Sequence, residues 1–344
     1  MIPAIRPIDP QWIDAARRRQ LELTKPPGSL GRLEEVANRC AAIRESFDLT
    51  AARPRIVLFA GDHGVCAEGV SPYPQEVTAQ MALNFLHGGA AINALARAGG
   101  IELRVVDIGV AAPAAPCDGL ILRRVAPGTR NFCREAAMTE AEMTAAIETG
   151  ISLAEEAAAD GCDLVGFGEM GIGNTTSASA IAAALTGASV NAVVGAGAGA
   201  DDACMARKRS AVERGLALHA DAIGTPLGLL RSVGGLEIAG MCGFCLGAAA
   251  QRIPVVTDGF IATAAAALAV RLRPAAVGYL FAAHRSAEPG HACLLAIVEQ
   301  SPLLDLGMRL GEGTGAALAI GIIRAAVAAF TGMATFASAG VSNQ

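Results

Sequence analysis

Glu312 stands in the run Arg309-Leu-Gly-Glu-Gly-Thr-Gly, with a glycine on either side. Those glycines let the backbone turn sharply and leave the carboxylate few near neighbours of its own. Two roles suit such an acid at a helix start: a partner for the helix dipole, worth about 0.3–1 kcal/mol, or a general base aimed into a crevice. A second chemistry-bearing stretch is Leu164–Thr176, Leu-Val-Gly-Phe-Gly-Glu-Met-Gly-Ile-Gly-Asn-Thr-Thr. Asp163–Val165 ends an apolar run with strand character, Gly166, Gly168, Gly171 and Gly173 follow, and Ser177–Leu185 reads as an Ala-rich helix. Strand, glycine loop and helix in that order aim main-chain N–H groups and a helix N-terminus at one spot, which favours an anion. Asn174, Thr175 and Thr176 can cap the helix and donate to phosphate oxygens.

Gly166-x-Gly168-x-x-Gly171 also satisfies the dinucleotide fingerprint. Two features speak against NAD. About twenty positions on, near Asn191, there is no acid to hold a ribose diol, and the charge of Glu169 inside the loop would oppose a pyrophosphate. A loop with one carboxylate suits a monophosphate better, with the acid turned toward the rest of the ligand. The bland alternative is a turn that only packs strand on helix. A second glycine turn, Gly195-Ala-Gly197-Ala-Gly199-Ala-Asp-Asp202, precedes another helix. Lys208, about two turns inside that helix, either reaches a phosphate in the same crevice or belongs to a solvated basic face with Arg207 and Arg209. Gly61-Asp62-His63-Gly64 offers proton transfer or metal ligation, but no matching ligand cluster accompanies it, so no metal is expected. Cys242 and Cys245 form a lone C-x-x-C with apolar flanks and read as small core residues.

These side chains need a scaffold. Residues 1–45 read as helical, with Asp9-Pro10 as a helix start, a Pro/Gly break from Lys25, and a second helix capped by Ser29. Arg55–Ala60, Leu103–Ile108, Asn191–Val194, Arg252–Thr257 and Ala275–Ala282 read as further strands. Between them the segment opening at Ser71 predicts one helix through Ala98, and the capping box Thr139-Glu-Ala-Glu142 opens a helix to about Ala159. An Ala-rich helix over Thr314–Phe330 closes the chain. Alternating strands and helices, with Gly/Asp/His turns after the strands, indicate a parallel α/β sheet. Ligands of such sheets bind at the carboxyl ends of the strands.

The 344 residues allow one large domain or two, and the dispersed net charge of −5 argues against a nucleic-acid partner. The N-terminus shows no apolar signal region. Gly315–Val341 is apolar, but it is mostly Ala and Gly with Arg324 in its middle, which predicts a packed helix and no membrane association. Nine cysteines without framework spacing read as reduced thiols of a cytoplasmic protein.

Seven runs in order resemble one family, the nicotinate-nucleotide–dimethylbenzimidazole phosphoribosyltransferases of cobalamin lower-ligand synthesis. They are Lys-Pro-Pro-Gly-Ser-Leu-Gly-Arg-Leu-Glu (25–34), Gly-Asp-His-Gly-Val (61–65), Gly-Glu-Met-Gly-Ile-Gly-Asn-Thr-Thr (168–176), Gly-Gly-Leu-Glu-Ile-Ala (234–239), Asp-Gly-Phe-Ile (258–261), His-Arg-Ser-Ala-Glu-Pro-Gly-His (284–291) and Leu-Gly-Glu-Gly-Thr-Gly-Ala-Ala-Leu (310–318). The resemblance implies transfer of ribose phosphate from nicotinate mononucleotide to 5,6-dimethylbenzimidazole, giving α-ribazole 5′-phosphate and nicotinate with inversion at C1′ and no cofactor. It puts the general base on Glu312 and a site-lining acid on Glu169. Phosphate binding falls on Gly171, Gly173, Asn174, Thr175 and Lys208, joined as substrate-binding candidates by Gly197 and Arg309. Ser71 and Gln80 are carried over, on a looser match, as the wall of the aromatic-base pocket. The implied fold is a Rossmann-like three-layer α/β/α sandwich with a mainly parallel sheet. Residues 51–299 would form the large domain, residues 1–50 with 300–344 a small helical one, and the chain would be a homodimer. Rival readings are a nicotinamide-dependent oxidoreductase and a non-catalytic binder of nucleotides or aromatic bases.

Overall fold

The structure is a computed structural model that describes residues 1–112 and 117–342. In chain order the elements are α1 (Pro10–Glu22), α2 (Arg32–Arg44), β1 (Pro54–Gly61), α3 (Val77–Leu86), α4 (Ala91–Gly99), β2 (Glu102–Gly109), β3 (Leu120–Leu122), α5 (Glu140–Ala159), β4 (Leu164–Met170) and α6 (Asn174–Thr186). There follow α7 (Val190–Val193), α8 (Asp202–Leu218), α9 (Pro226–Val233), α10 (Leu236–Ala250), β5 (Val255–Thr257), α11 (Phe260–Leu272), β6 (Leu280–Ala282), α12 (His291–Ile297), α13 (Thr314–Gly332) and α14 (Phe336–Ala339).

The six strands make one sheet, ordered β3-β2-β1-β4-β5-β6, and every pairing is parallel. The strand order reverses between β1 and β4, the kind of switch point beside which ligands of such sheets bind. Both central strands are buried along almost their whole length, as parallel strands covered on two faces must be. Side chains alternate across them. Phe59 and Phe167 meet Phe244 of α10 edge to face. On the other face Ile56, Gly166 and Gly168 lie against α13 and the turn that leads into it. Helix α10 also packs on α5 and α11, while α13 packs on α2 and α4. Leu23 bridges Thr335, so the two ends of the chain meet. By length and composition α13 could cross a membrane, but half of it is buried inside this fold.

The α5–α10 contact is close enough to need glycine on both helices. A Cβ on Gly150 would overlap the carbonyl oxygen of Gly240 and lie 2.6 Å from Phe244 N. A Cβ on Gly243 would collide with Ile147 in return. Backbone atoms cannot swing aside as a side chain does, so Gly150→Ala is expected to cost about 1–3 kcal/mol, the usual range for overpacking. A urea midpoint unchanged from wild type would show that the helices can part freely.

Several sequence expectations are corrected. The strand at Leu164 does not stop at Val165 but runs through Gly166 and Gly168 to Met170. Two of the three fingerprint glycines are therefore strand residues, and the turn is only Gly171–Gly173. Asn191–Val194 is no strand: it falls in the one-turn helix α7, packed on α6 and α8. The segment before Ala282 winds into a 3-10 turn over Pro274–Tyr279, because Pro274 is set for a helical start, and the strand begins at Leu280. The single helix expected through Ala98 breaks after Leu86, where Gly88 takes φ +76°. Asn93 restarts it as α4 by accepting from Ala90 N and donating to Phe85 O. Ser29 does not cap α2; Gly31 occupies that position at φ 54°.

Candidate active site

At the carboxyl ends of β4, β5 and β6 lies a crevice of about 690 Å³, within the usual size for a small-molecule site. Glu312 is on its wall. Three successive residues there, Gly311, Glu312 and Gly313, have φ of +84°, +64° and +84°. Glycine adopts this region freely, but a glutamate pays about 1–2 kcal/mol for it. The turn is locked from below. Gly168 on β4 lies so close that any Cβ would overlap Gly313 N and Glu312 C. Asp258, just beyond β5, accepts from Gly313 N at 3.2 Å and Ala316 N at 3.0 Å, acting as a cap for α13 from across the sheet. Glu312 is thereby held buried with Oε2 unpartnered among the described residues. Burial, reinforced by Asp258, pushes its carboxyl up to about 7.

Glu169 ends β4 on the same wall and is also buried. Burial, with the acids Glu237, Asp258 and Glu312 nearby, pushes its carboxyl up to about 8, against the hydrogen bond donated by Asn174 Nδ2. Oε1 of Glu169 rests against Gly311, so the Glu169 and Glu312 carboxyls sit at one turn. Both carboxyls are thus held above the ordinary glutamate range by burial and by neighbouring acids.

The second glycine turn forms the opposite lip. Gly197 is gripped at both ends: its N–H donates to Glu288 Oε1 at 2.9 Å, and its carbonyl accepts from Arg309 at 2.7 Å. Lys208 is buried and donates to Gly195 O at 2.6 Å and Thr175 Oγ1 at 3.1 Å. Burial lowers its amine from the ordinary lysine value. The start of α11 completes the lining with Phe260, Ile261 and Ala262. Its first-turn N–H groups have no acceptor within the helix.

The crevice thus brings together Glu312, Glu169, Gly171, Asn174, Thr175, Gly197 and Arg309 of the sequence candidates. Gly173 and Lys208 stand one layer back. Gly173 is the N-cap of α6 at φ +94°, and Lys208 stands behind Thr175, to which it donates, and Gly197, whose Cβ position is 3.3 Å from its Nζ. Ser71 and Gln80 are not on the wall. Ser71 closes its own turn by accepting from Tyr73 N, Gln80 is exposed, and the wall from this segment is Tyr73, Val77 and Met81.

A family model described as phosphoribosyltransferase matches residues 5–341. The nicotinate-nucleotide–dimethylbenzimidazole phosphoribosyltransferase of Chloroflexus aggregans is 54% identical over 342 residues, 99% of this chain and 96% of that one. The protein of the same name from Geobacter sp. strain M21 is 52% identical over 98% of this chain and 97% of its own. The chain belongs to the nicotinate-nucleotide–dimethylbenzimidazole phosphoribosyltransferase family. The crystal structure of the enzyme of that name from Thermus thermophilus superposes with a TM-score of 0.92 at 47% identity, covering 98% of this chain and all of that one. The α/β Rossmann-like fold and the assignment as a phosphoribosyltransferase therefore stand.

Asp258, His284 and Glu288 also line the crevice, although the sequence pattern assigns them no role there. Asp258 and His284 were visible as turn residues after strands, but nothing in their spacing showed that Asp258 would cap a helix 55 residues on. His284 lies with Nε2 3.9 Å from Asp258 Oδ1 and leaves Nδ1 buried without a partner among the described residues. His291 is a corner residue: Nδ1 accepts from Ser286 N, so the Nε2 proton faces Thr263 Oγ1. Burial pushes His291 down to about 3, and it stays neutral.

Proposed function

We propose that the chain transfers the 5-phosphoribosyl group of nicotinate mononucleotide to 5,6-dimethylbenzimidazole, with Glu312 as general base. The observation that carries this reading is the Glu312 carboxylate: strained, buried, unpartnered at Oε2 and raised to about 7 on the wall of the crevice. The donor's ring is a cationic pyridinium, which suits a crevice crowded with carboxyls. When a benzimidazole nitrogen attacks C1′, the C1′–N bond breaks and its electron pair leaves with nicotinate, which needs little acid help. The remaining burden is the proton on the other benzimidazole nitrogen, and Glu312 takes it. Attack from the face opposite the departing ring inverts C1′. The phosphate is held by the Gly171–Thr175 turn, with Lys208 behind Thr175 and Arg309 across the crevice. Anchoring it fixes C1′ against the nucleophile, the larger positional term. The apolar wall of Tyr73, Val77 and Met81 suits the flat base.

We further read residues 1–50 with 300–344 as a small helical domain beside residues 51–299, and the protein as a cytoplasmic homodimer that needs no cofactor. All nine cysteines are free, which agrees with a reducing compartment.

The decisive experiment measures nicotinate released from the mononucleotide against a panel of benzimidazoles, purines and phenols. Release with benzimidazoles is expected. Ligand stabilisation without release by any acceptor would mark a binder, and NAD(H) binding instead would mark the oxidoreductase. The pH profile gives a further expectation. A base raised to about 7 must lose its proton to work, so kcat/KM should fall about tenfold per pH unit below that value. A profile flat down to pH 5 would exclude a carboxyl in this environment as the base.

A further inference from the structure

Two motifs remain that the reaction does not use, Gly61-Asp-His63-Gly and Gly234-Gly-Leu-Glu237. The fold brings them together. His63 follows β1 and Glu237 lies in the first turn of α10, and both are wholly buried. His63 Nε2 is 2.6 Å from Glu237 Oε1, and Nδ1 is 3.0 Å from Ser177 Oγ on α6. The Ser177 hydroxyl donates onward to Gly234 O, so it accepts the Nδ1 proton, and one further proton lies between Nε2 and Oε1. The ring therefore ties β1, α6 and α10 together at the point where the strand order reverses.

The surrounding glycines are shaped to this pair. A Cβ on Gly235 would lie 2.5 Å from Glu237 Oε2 and 2.9 Å from His63 Nε2, and one on Gly61 would lie 3.2 Å from Glu237 Oε2. A Cβ on Gly171 would overlap the carbonyl oxygen of Gly61, the residue two before His63, and would touch the ring itself, 3.4 Å from His63 Cδ2. Gly173 lies against His63 Cβ and Cys66 Sγ. The glycine turn is thus seated on Gly61 O and His63, and Asn174, the first residue of α6, donates to Glu169. We propose that the His63–Glu237 pair is a positioning device that seats the Gly171–Asn174 turn from beneath the crevice and, through Asn174, aims the Glu169 carboxyl.

A chain of hydrogen bonds and contacts between a fully buried pair and a crevice acid carries a definite expectation. Loosening the pair moves Glu169 and the turn without removing any group that touches substrate. The catalytic readout rests on the proposed transfer reaction, whereas the spectroscopic one does not.

Two measurements on the full-length protein test it. First, the five histidines are labelled with 15N, the His63 ring signals are assigned by their change in Glu237→Gln, and nicotinate mononucleotide is added to wild type. The His63 ring nitrogens are expected to shift as the turn takes the ligand; ring signals that stay fixed when the ligand is bound would overturn the inference, whether or not nicotinate is released. Secondly, Glu237→Gln is assayed per folded molecule. It is expected to lower kcat about tenfold or more while KM for the mononucleotide stays within about threefold. A purely structural pair would reduce the folded fraction and leave kcat per folded molecule at the wild-type value, which would overturn the proposal. If Glu237→Gln does not fold, Ser177→Ala serves instead: it keeps the pair and removes the Nδ1 partner together with its bond to Gly234 O. A several-fold loss of kcat with the wild-type fold is expected, and undiminished kcat would count against the inference. Absence of nicotinate release by wild type with a moving His63 signal would sink the proposed reaction and leave the seat intact.

Discussion

Glu312→Gln is expected to lose about 10²–10⁴-fold in kcat, the usual contribution of a positioned general base, while binding nicotinate mononucleotide nearly as wild type does. Gln keeps the shape of the side chain and the same left-handed backbone, so the turn across Gly311 and Gly313 should not relax. What it cannot do is accept a proton. The same substitution should make the protein more stable at alkaline pH. The folded-state carboxyl is raised to about 7 by burial, whereas the unfolded one titrates in the ordinary glutamate range. The folded protein therefore binds more protons between those values, and the stability due to this group falls as pH climbs from the ordinary range through about 7. Gln removes that dependence. The gain over wild type should thus be absent near pH 4.5 and fully developed by pH 8, read from urea midpoints at the two values. Glu312→Gly should gain more, since it also relieves the positive φ, and it should be equally inactive. A glutamine variant that turns over within tenfold of wild type removes Glu312 from the chemistry.

The parallel sheet was readable because its central strands are apolar throughout and each is followed by a glycine or acidic turn. Phe59 and Phe167 could sit nowhere but inside. What misled was glycine. Gly166 and Gly168 read as members of a phosphate loop, because a missing side chain looks the same in sequence whether it admits a ligand or another part of the chain. Here Gly168 admits the turn at 311–313, which arrives from more than 140 residues away, and Gly166 admits Ile56 and, from α13, Ala316. The strand at 191–194 failed for a related reason. Val190, Val193 and Val194 have β propensity, but the sheet already ends at β6 and β3, and the segment closes on itself beside α6 and α8. Glu312 could be singled out from its flanking glycines, yet spacing left its role open between dipole partner and base. Its burial, its unpartnered oxygen and the Asp258 cap appear only when β5, β4 and the closing segment are folded together. For the segment after Ser71, helix phase decides which side chains face the crevice, and it turns Val77 and Met81 toward it and leaves Gln80 exposed.

Gly166 and Gly168 are expected to differ sharply when each is replaced by alanine. They share a face of β4, and a Cβ on either would point at the α13 side of the sheet. At Gly166 it would meet Ile56 Cγ1 at 3.3 Å and Ala316 Cβ at 3.4 Å, contacts tight enough to require only a few tenths of an ångström of give. At Gly168 it would overlap Gly313 N and Glu312 C and lie 2.6 Å from Gly313 Cα. Those are backbone atoms of a turn already pinned where Asp258 accepts from Gly313 N and Ala316 N, so the turn must lift as a unit. Gly168→Ala is therefore expected to displace Glu312 by something on the order of 1 Å, which for a catalytic group costs roughly 10²-fold in rate, and to destabilise the fold by about 1–3 kcal/mol. Gly166→Ala should lose far less of either. Nicotinate release and urea unfolding of the two variants, measured side by side, test the difference. If they lose activity equally, the seat of the turn on β4 is not what places Glu312. If Gly168→Ala is destabilised but turns over like wild type, the position of Glu312 is set by Asp258 alone.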